Sequence, residues 1–171
     1  MKNISTIQSM ALFALLIALK VILSRITGIS FGIVKITLGF IATGMTGYLF
    51  GPLLGALAGG ITDLLGFFCF PQGSYFIGYT LTSMITGFIY GLFLHGKKPT
   101  FIRILLTVTV ESLICSLLLN TLWTSILFGK AFFALLPARL VKNILAIPLQ
   151  SGILYLIFKY LIKHLSPYIK K

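Results

Sequence analysis

The chain has 14 Lys and Arg but only two acids, Asp63 and Glu111, and its available chemistry follows from where these few charges fall. Both acids sit inside long apolar runs. Asp63 is roughly 16 Å and Glu111 roughly 12 Å from the N-terminal end of its run at 1.5 Å per residue. A carboxylate so placed needs a partner or a polar cavity. Asp63 either pairs with Arg25 or Arg139, or recognises a ligand through two parallel hydrogen bonds from an amidine-like edge such as an aminopyrimidine. Glu111 reads as structural, paired to a cation on the last helix. Lys20, Arg25, Lys35, Lys130, Arg139 and Lys142 lie in or beside apolar runs, and several of them converging on one cavity would bind an anion. Catalysis has little support. His95 and His164 are far from Asp63, so no Ser-His-Asp set forms, and there is no G-x-x-x-x-G-K-[ST] loop to drive ATP hydrolysis. Two isolated acids make a poor proton relay. Cys69 and Cys115 are far apart, form no CxxC and have no His beside them, which argues against a metal site or a disulfide. A non-enzymatic binding protein is the expectation.

The elements that must position these residues are membrane helices. The chain is 58% apolar and 9% charged, a composition outside the range of soluble domains. Six apolar segments, at about 7–23, 31–50, 52–68, 76–94, 103–128 and 135–162, approach or exceed the roughly 20 residues that cross a bilayer as a helix. The expected fold is an all-α bundle of six transmembrane helices, one integral-membrane domain over 1–171. The first segment lacks a small-residue cleavage site followed by a soluble sequence, and it is read as helix 1. Six crossings put both termini on one face. That face carries Lys2, Lys97, Lys98, Arg103, Lys159, Lys163, Lys170 and Lys171, and the positive-inside rule makes it cytoplasmic. Anionic lipid headgroups account for these cations, so the net charge of +12 does not call for nucleic acid. Phe50-Gly51-Pro52 and 95–100 are short inner turns, whereas the outer connections near 24–30, 69–75 and 129–134 are longer and carry Gly or basic residues. Lys20 and Lys130 are expected to face lipid.

Two stripes of small residues allow close helix packing. Helix 1 carries Ala11, Ala14 and Ala18; helix 3 carries Gly51, Gly55 and Gly59. The partner of each stripe is either another helix of this chain or a separate protein.

Several stretches resemble the substrate-binding (S) components of energy-coupling factor (ECF) transporters, and among them the folate-specific family. They are Phe50-Gly51-Pro52 leading through Gly55 and Gly59 to Asp63-Leu64-Leu65-Gly66; Gly78-Tyr79-Thr80-Leu81 leading to Gly87-Phe88-Ile89-Tyr90-Gly91; Leu119-Asn120-Thr121-Leu122-Trp123; and Leu136-Pro137-Ala138-Arg139-Leu140-Val141-Lys142-Asn143 with Pro148 beyond. The resemblance covers nearly the whole chain, and Asn-Thr-Leu-Trp followed by Arg-x-x-Lys-Asn is its most specific part. It implies a multi-pass protein of a prokaryotic cell membrane that captures folate, or a reduced folate, from outside and needs no cofactor. Its partner is a transmembrane coupling protein carrying two ATPase subunits, docked through Ala14 and Ala18 of helix 1.

For the site, the resemblance implies that Arg25, Lys35, Arg139 and Lys142 form a basic mouth for the two carboxylates of the glutamate tail. Asp63 faces the aminopyrimidine edge of the pterin, and Tyr75, Phe76 or Trp123 stacks on its flat face. Asn120 adds a deeper polar contact. Thr121 is assigned to the site as well, although a bond to its own helix carbonyl is the competing role. Headgroup snorkelling competes for Lys35 and Lys142, and an interfacial belt position competes for Trp123. The chain departs from the family pattern where Gly39-Phe40 is followed by Ile41-Ala42 rather than by Pro, at Phe76-Ile77-Gly78-Tyr79-Thr80-Leu81, and at Lys35, where Arg is usual. Lys is a point charge rather than a fork, so that contact is looser. The alternatives are an S component for another vitamin or a modified base, and a structural membrane protein whose small-residue stripes build complexes.

Overall fold

A computed structural model describes residues 6–25, 29–31, 34–71, 75–129 and 131–165. The chain runs α1 (Thr6–Arg25), β1 (Ile29–Phe31), β2 (Val34–Ile36), α2 (Gly39–Cys69), α3 (Ile77–Leu94), α4 (Phe101–Glu111), a π-helical stretch (Ser112–Leu119), α5 (Asn120–Phe128) and α6 (Phe132–Leu165). Among the described residues five stretches are long and apolar enough to cross a membrane: Thr6–Ser24, Gly39–Cys69, Ile77–Leu94, Phe101–Phe128 and Phe132–Tyr160.

The expected second helix is corrected by this structure. Its first residues form strand instead: β1 and β2 pair antiparallel, with Ile29 opposite Ile36, Ser30 opposite Lys35 and Phe31 opposite Val34. The run from Ile29 to Thr37 is rich in β-branched residues and broken by Gly32. Such residues favour extended backbone, while a hydropathy window registers only that they are apolar. Helix begins at Gly39, so the arm before Gly51 is about 18 Å long at 1.5 Å per residue, short of the roughly 30 Å of hydrocarbon.

Gly51 reverses the chain. It has φ 85° and ψ −175°, a conformation open to glycine and strained for other residues. Pro52 also disfavours helical backbone at the residue before it. A Cβ built on Gly55 would lie 3.6 Å from the Cα of Gly47, whereas eight residues of uninterrupted helix span about 12 Å. The arms 39–50 and 52–69 therefore lie against each other.

The glycine stripe packs inside the chain. Added methyl groups at Gly55, Gly59 and Gly87 would strike the backbone carbonyls of Gly87, Ser83 and Gly55, and one at Gly47 would lie 2.7 Å from the amide of Gly91. The second arm of α2 and α3 thus meet backbone to backbone. The alanine stripe behaves differently. Ala11, Ala14 and Ala18 are exposed, together with Ile7 and Ile22 on the same face of α1, while Leu16, Ile17 and Val21 are buried. Gly87→Ala is expected to overpack the α2–α3 contact and cost about 1–3 kcal/mol. Gly152→Ala, where nothing lies within 4 Å, is expected to gain up to about 1 kcal/mol of helix propensity. Thermal unfolding of the two variants in one detergent checks the contrast.

The apolar core lies toward the end of the bundle that carries Gly51. Tyr90 and Leu94 of α3, Ile104 and Val108 of α4, and Leu154 and Phe158 of α6 form one buried cluster, with Phe40, Tyr48, Ile147 and Tyr155 packed around it. At that end the His95 ring caps the Gly51 turn and its Nδ1 lies 3.0 Å from the carbonyl of Tyr48. The polar side chains collect toward the opposite end, where α2 finishes and α3 begins.

Candidate functional site

Asp63 and Lys20 meet α3 one turn apart. Thr80 donates its hydroxyl to Oδ2 of Asp63 at 2.7 Å, and the Tyr75 hydroxyl lies 3.0 Å from the same Thr80 oxygen. Lys20 donates to Ser83 Oγ at 3.4 Å, a long bond for an ammonium, and Ser83 in turn donates to the carbonyl of Gly59 at 2.9 Å. The expectation that Lys20 faces lipid is therefore wrong. It follows Leu16 by four residues and lies on the buried face of α1, where its charge interacts with Asp63 and Glu111. Once the exposed stripe is assigned to Ala14, Ala18 and Ile22, helical periodicity alone turns residue 20 inward.

A second network joins α3, the π-helical stretch, α5 and α6. Trp123 donates its indole N–H to Thr82 Oγ1 at 3.0 Å. Its ring lies 5.6 Å from that of Phe76, and Gly78 leaves room for both rings. Arg139 donates through Nη2 to Thr124 Oγ1 at 2.6 Å and through Nη1 to the carbonyl of Ser116 at 3.2 Å. The Tyr79 hydroxyl lies 3.2 Å from that Thr124 oxygen, and Ser116 donates to Oδ1 of Asn143 at 3.0 Å. Two of the five guanidinium N–H donors are thus committed, which fixes the plane of the group and leaves others for an anion.

The two acids differ in their surroundings. Among the described residues neither has a Lys or Arg nitrogen within 4.0 Å of its oxygens. Arg139 reaches Ser116 and Thr124 rather than Asp63, and the side chain of Arg25 lies outside the described residues. Glu111, partly buried at the end of α4, interacts electrostatically with Lys142 of α6 and with Lys20. A counter-charge on the last helix was the expectation for it, and the pairing is through space rather than by direct contact.

Asp63, Tyr75, Phe76, Trp123 and Arg139 thus stand in hydrogen-bonded or ring-stacked networks at one end of the molecule. Lys142 joins them through its charge, interacting with Arg139 and Glu111. Asn120 contributes its carbonyl, which accepts from Thr124 Oγ1 at 2.6 Å. The backbone of Lys35 is in β2, opposite Ser30; its side chain lies outside the described residues, as does Lys130. Thr121 corrects an expectation: its hydroxyl is buried without a hydrogen-bond partner rather than bonded to its own helix. The preceding turn is π-helical, with Asn120 N–H donating to the carbonyl of Cys115, five residues back. That winding displaces the carbonyls a helical threonine ordinarily reaches. Ser116 and Asn143 are further polar members missed by the sequence reading, whose only mark of Asn143 was its place in Arg-x-x-Lys-Asn. Among the described residues no group of three or more His, Cys, Asp or Glu could hold a metal ion. Cys69 and Cys115 are free thiols.

Long apolar helices around a polar, cation-bearing cluster fit the class of multi-pass membrane proteins. Residues 8–158 match the model of the ECF transporter substrate-specific component, and the chain belongs to that family, whose members are transport components rather than enzymes. It is 38% identical over 149 residues to the "Folate transporter FolT" of Clostridium novyi (strain NT), covering 87% of each chain. It is 30% identical over 154 residues to the "Folate transporter FolT" of Leuconostoc mesenteroides subsp. mesenteroides, covering 86% of this chain and 83% of that one. Among solved structures it resembles a crystal structure of FolT bound with folic acid, with a TM-score of 0.85, 31% identity, and coverage of 91% of this chain and 95% of that chain.

Proposed function

We propose that this chain is the folate-binding subunit of an ECF transporter, one integral-membrane domain with both termini in the cytoplasm of a prokaryotic cell. It passes the membrane six times if the paired arms of α2 are counted separately, the first arm spanning only part of the hydrocarbon, with the hairpin β1–β2 and the Asp63–Arg139 end outside. Folate, or a reduced folate, enters there. Arg25, Lys35, Arg139 and Lys142 hold the two carboxylates of the glutamate tail. Asp63, oriented by Thr80, accepts from the aminopyrimidine edge of the pterin. Tyr75, Phe76 and Trp123 offer flat faces to the ring, and Asn120 and Thr121 line the deeper wall. A coupling protein with two ATPase subunits supplies the energy, and the exposed Ala14–Ala18 face of α1 docks on it. The observation that carries this reading is the match over 91% of the chain to FolT bound with folic acid, joined to a cluster of polar and cationic side chains from α1, α2, α3, α5 and α6 at one end.

The near-ultraviolet absorption spectrum of protein purified from folate-supplied cells tests the reading. Bound folate absorbs where the protein does not, and a preparation that shows no such band after saturation with folate counts against it.

Asp63→Asn is expected to weaken folate binding by about 1.5–3 kcal/mol, the range for hydrogen bonds to a charged group. The amide keeps one acceptor for Thr80 and offers an N–H where the second carboxylate oxygen stood. Calorimetric titration measures the loss. Unchanged affinity together with a lowered melting point of the ligand-free protein would give Asp63 a structural role.

A further inference from the structure

We propose that Asn143 is a specificity-determining donor for the ring system of the ligand, held in register by Ser116; this rests on the folate reading above. Asn143 lies four residues after Arg139, so the two side chains occupy one face of α6. Both grip Ser116: Arg139 donates to its carbonyl at 3.2 Å and its hydroxyl donates to Oδ1 of Asn143 at 3.0 Å. The π-helical winding of Ser112–Leu119 displaces the carbonyls of this stretch from the ordinary α-helical ladder, and the Ser116 carbonyl takes a side-chain donor.

These contacts give the amide a polarity. With Oδ1 committed to the Ser116 hydroxyl, Asn143 presents Nδ2, a donor. Asn143 is 4% exposed and Nδ2 has no hydrogen-bond partner. Five residues after Ser116, the Thr121 hydroxyl is fully buried and also without a partner. A buried donor without an acceptor is costly in an apolar interior, and a bound ligand that supplies the acceptor removes the cost. The ligand group must therefore be an acceptor, a ring carbonyl or ring nitrogen. Arg139 and Lys142 take the carboxylates, which leaves Asn143 for the ring.

Asn143→Asp replaces the N–H donor by an acceptor in a nearly isosteric side chain. It is expected to weaken binding of both folate and pteroate, which lacks the glutamate tail, by at least about tenfold and by the same factor. Asn143→Leu, uncharged and of similar size, reports the same loss should the aspartate variant not fold. Ser116→Ala frees the amide to turn and is expected to give a smaller loss that does not add to that of Asn143→Asp, whereas independent structural effects would add. Calorimetry on purified wild type and variants reads all of this. Wild type that binds folate beside a folded Asn143→Asp or Asn143→Leu that binds it equally well overturns the inference and leaves the function standing. A loss confined to folate, with pteroate unaffected, also overturns it by assigning the amide to the tail. Wild type that binds neither compound overturns the folate reading and this inference together.

Discussion

Ala14→Trp, and separately Ala18→Trp, is expected to abolish folate uptake by cells while leaving folate binding by the purified subunit unchanged. On the proposed reading, transport passes through contact with a coupling protein that carries two ATPase subunits. Ala14 and Ala18 lie one turn apart on the exposed face of α1, whereas Leu16 and Lys20 on the opposite face point into the bundle. A stripe of small residues lets two helix backbones approach closely, and an indole there holds them apart. Because both positions are exposed, the substitution does not overpack the subunit. Two measurements check the expectation: copurification of the variant with the coupling module, and uptake of labelled folate. A variant that keeps both the complex and uptake removes this face as the docking surface, and one that loses folate binding as well places the stripe inside the fold.

Arg139→Ala is expected to weaken folate binding by about 1.5–3 kcal/mol, roughly 10- to 150-fold. The guanidinium is half-buried and anchored at two points, to Thr124 and to the Ser116 carbonyl, so its remaining donors are pre-oriented for a carboxylate. Lys142→Ala is expected to lose binding in the same range, and it also leaves Lys20 as the remaining described cation interacting with Glu111. A lower melting point of the ligand-free Lys142 variant is therefore expected. Pteroate discriminates the roles, since its binding falls less than that of folate when a tail-binding cation is removed. Folate affinity equal to wild type in both variants would remove the basic mouth from the account.

Much of the architecture is written in local patterns. Gly51-Pro52 announces a reversal because few residues other than glycine tolerate φ 85° and proline disfavours helix at the residue before it. Gly55 and Gly59, four residues apart, make a face flat enough for α3, which meets them at Gly87 and at the Ser83 carbonyl, while Gly91 packs on Gly51 and Pro52. The clustering of Asp63, Phe76, Trp123 and Arg139 was legible as well, since each falls in the same half of its helix when consecutive helices run in opposite directions. Other features were not legible, each for a physical reason. The strands Ile29–Phe31 and Val34–Ile36 were lost in an apolar run because hydropathy does not separate β-branched residues from leucine. The π-helical stretch leaves no mark in composition: Ser112–Leu119 reads as ordinary helix, yet its winding decides where Ser116 and Thr121 present their polar groups. Lys20 was legible and misread. Its position relative to Ala14 and Ala18 turns it away from lipid and inward, where it donates to Ser83 and its charge interacts with Asp63 and Glu111. Asn143 shows the limit of reading residues singly, because its role depends on the Ser116 hydroxyl from another helix fixing which end of its amide is free.

Calorimetric titration of the detergent-purified subunit, without any partner, against folate and a panel of other vitamins tests the central claim most directly. The account predicts tight, saturable, one-to-one binding of folate, weaker binding of pteroate, and no binding of vitamins that lack both a pterin-like ring and a carboxylate tail. Tight binding of another vitamin with no response to folate would contradict it.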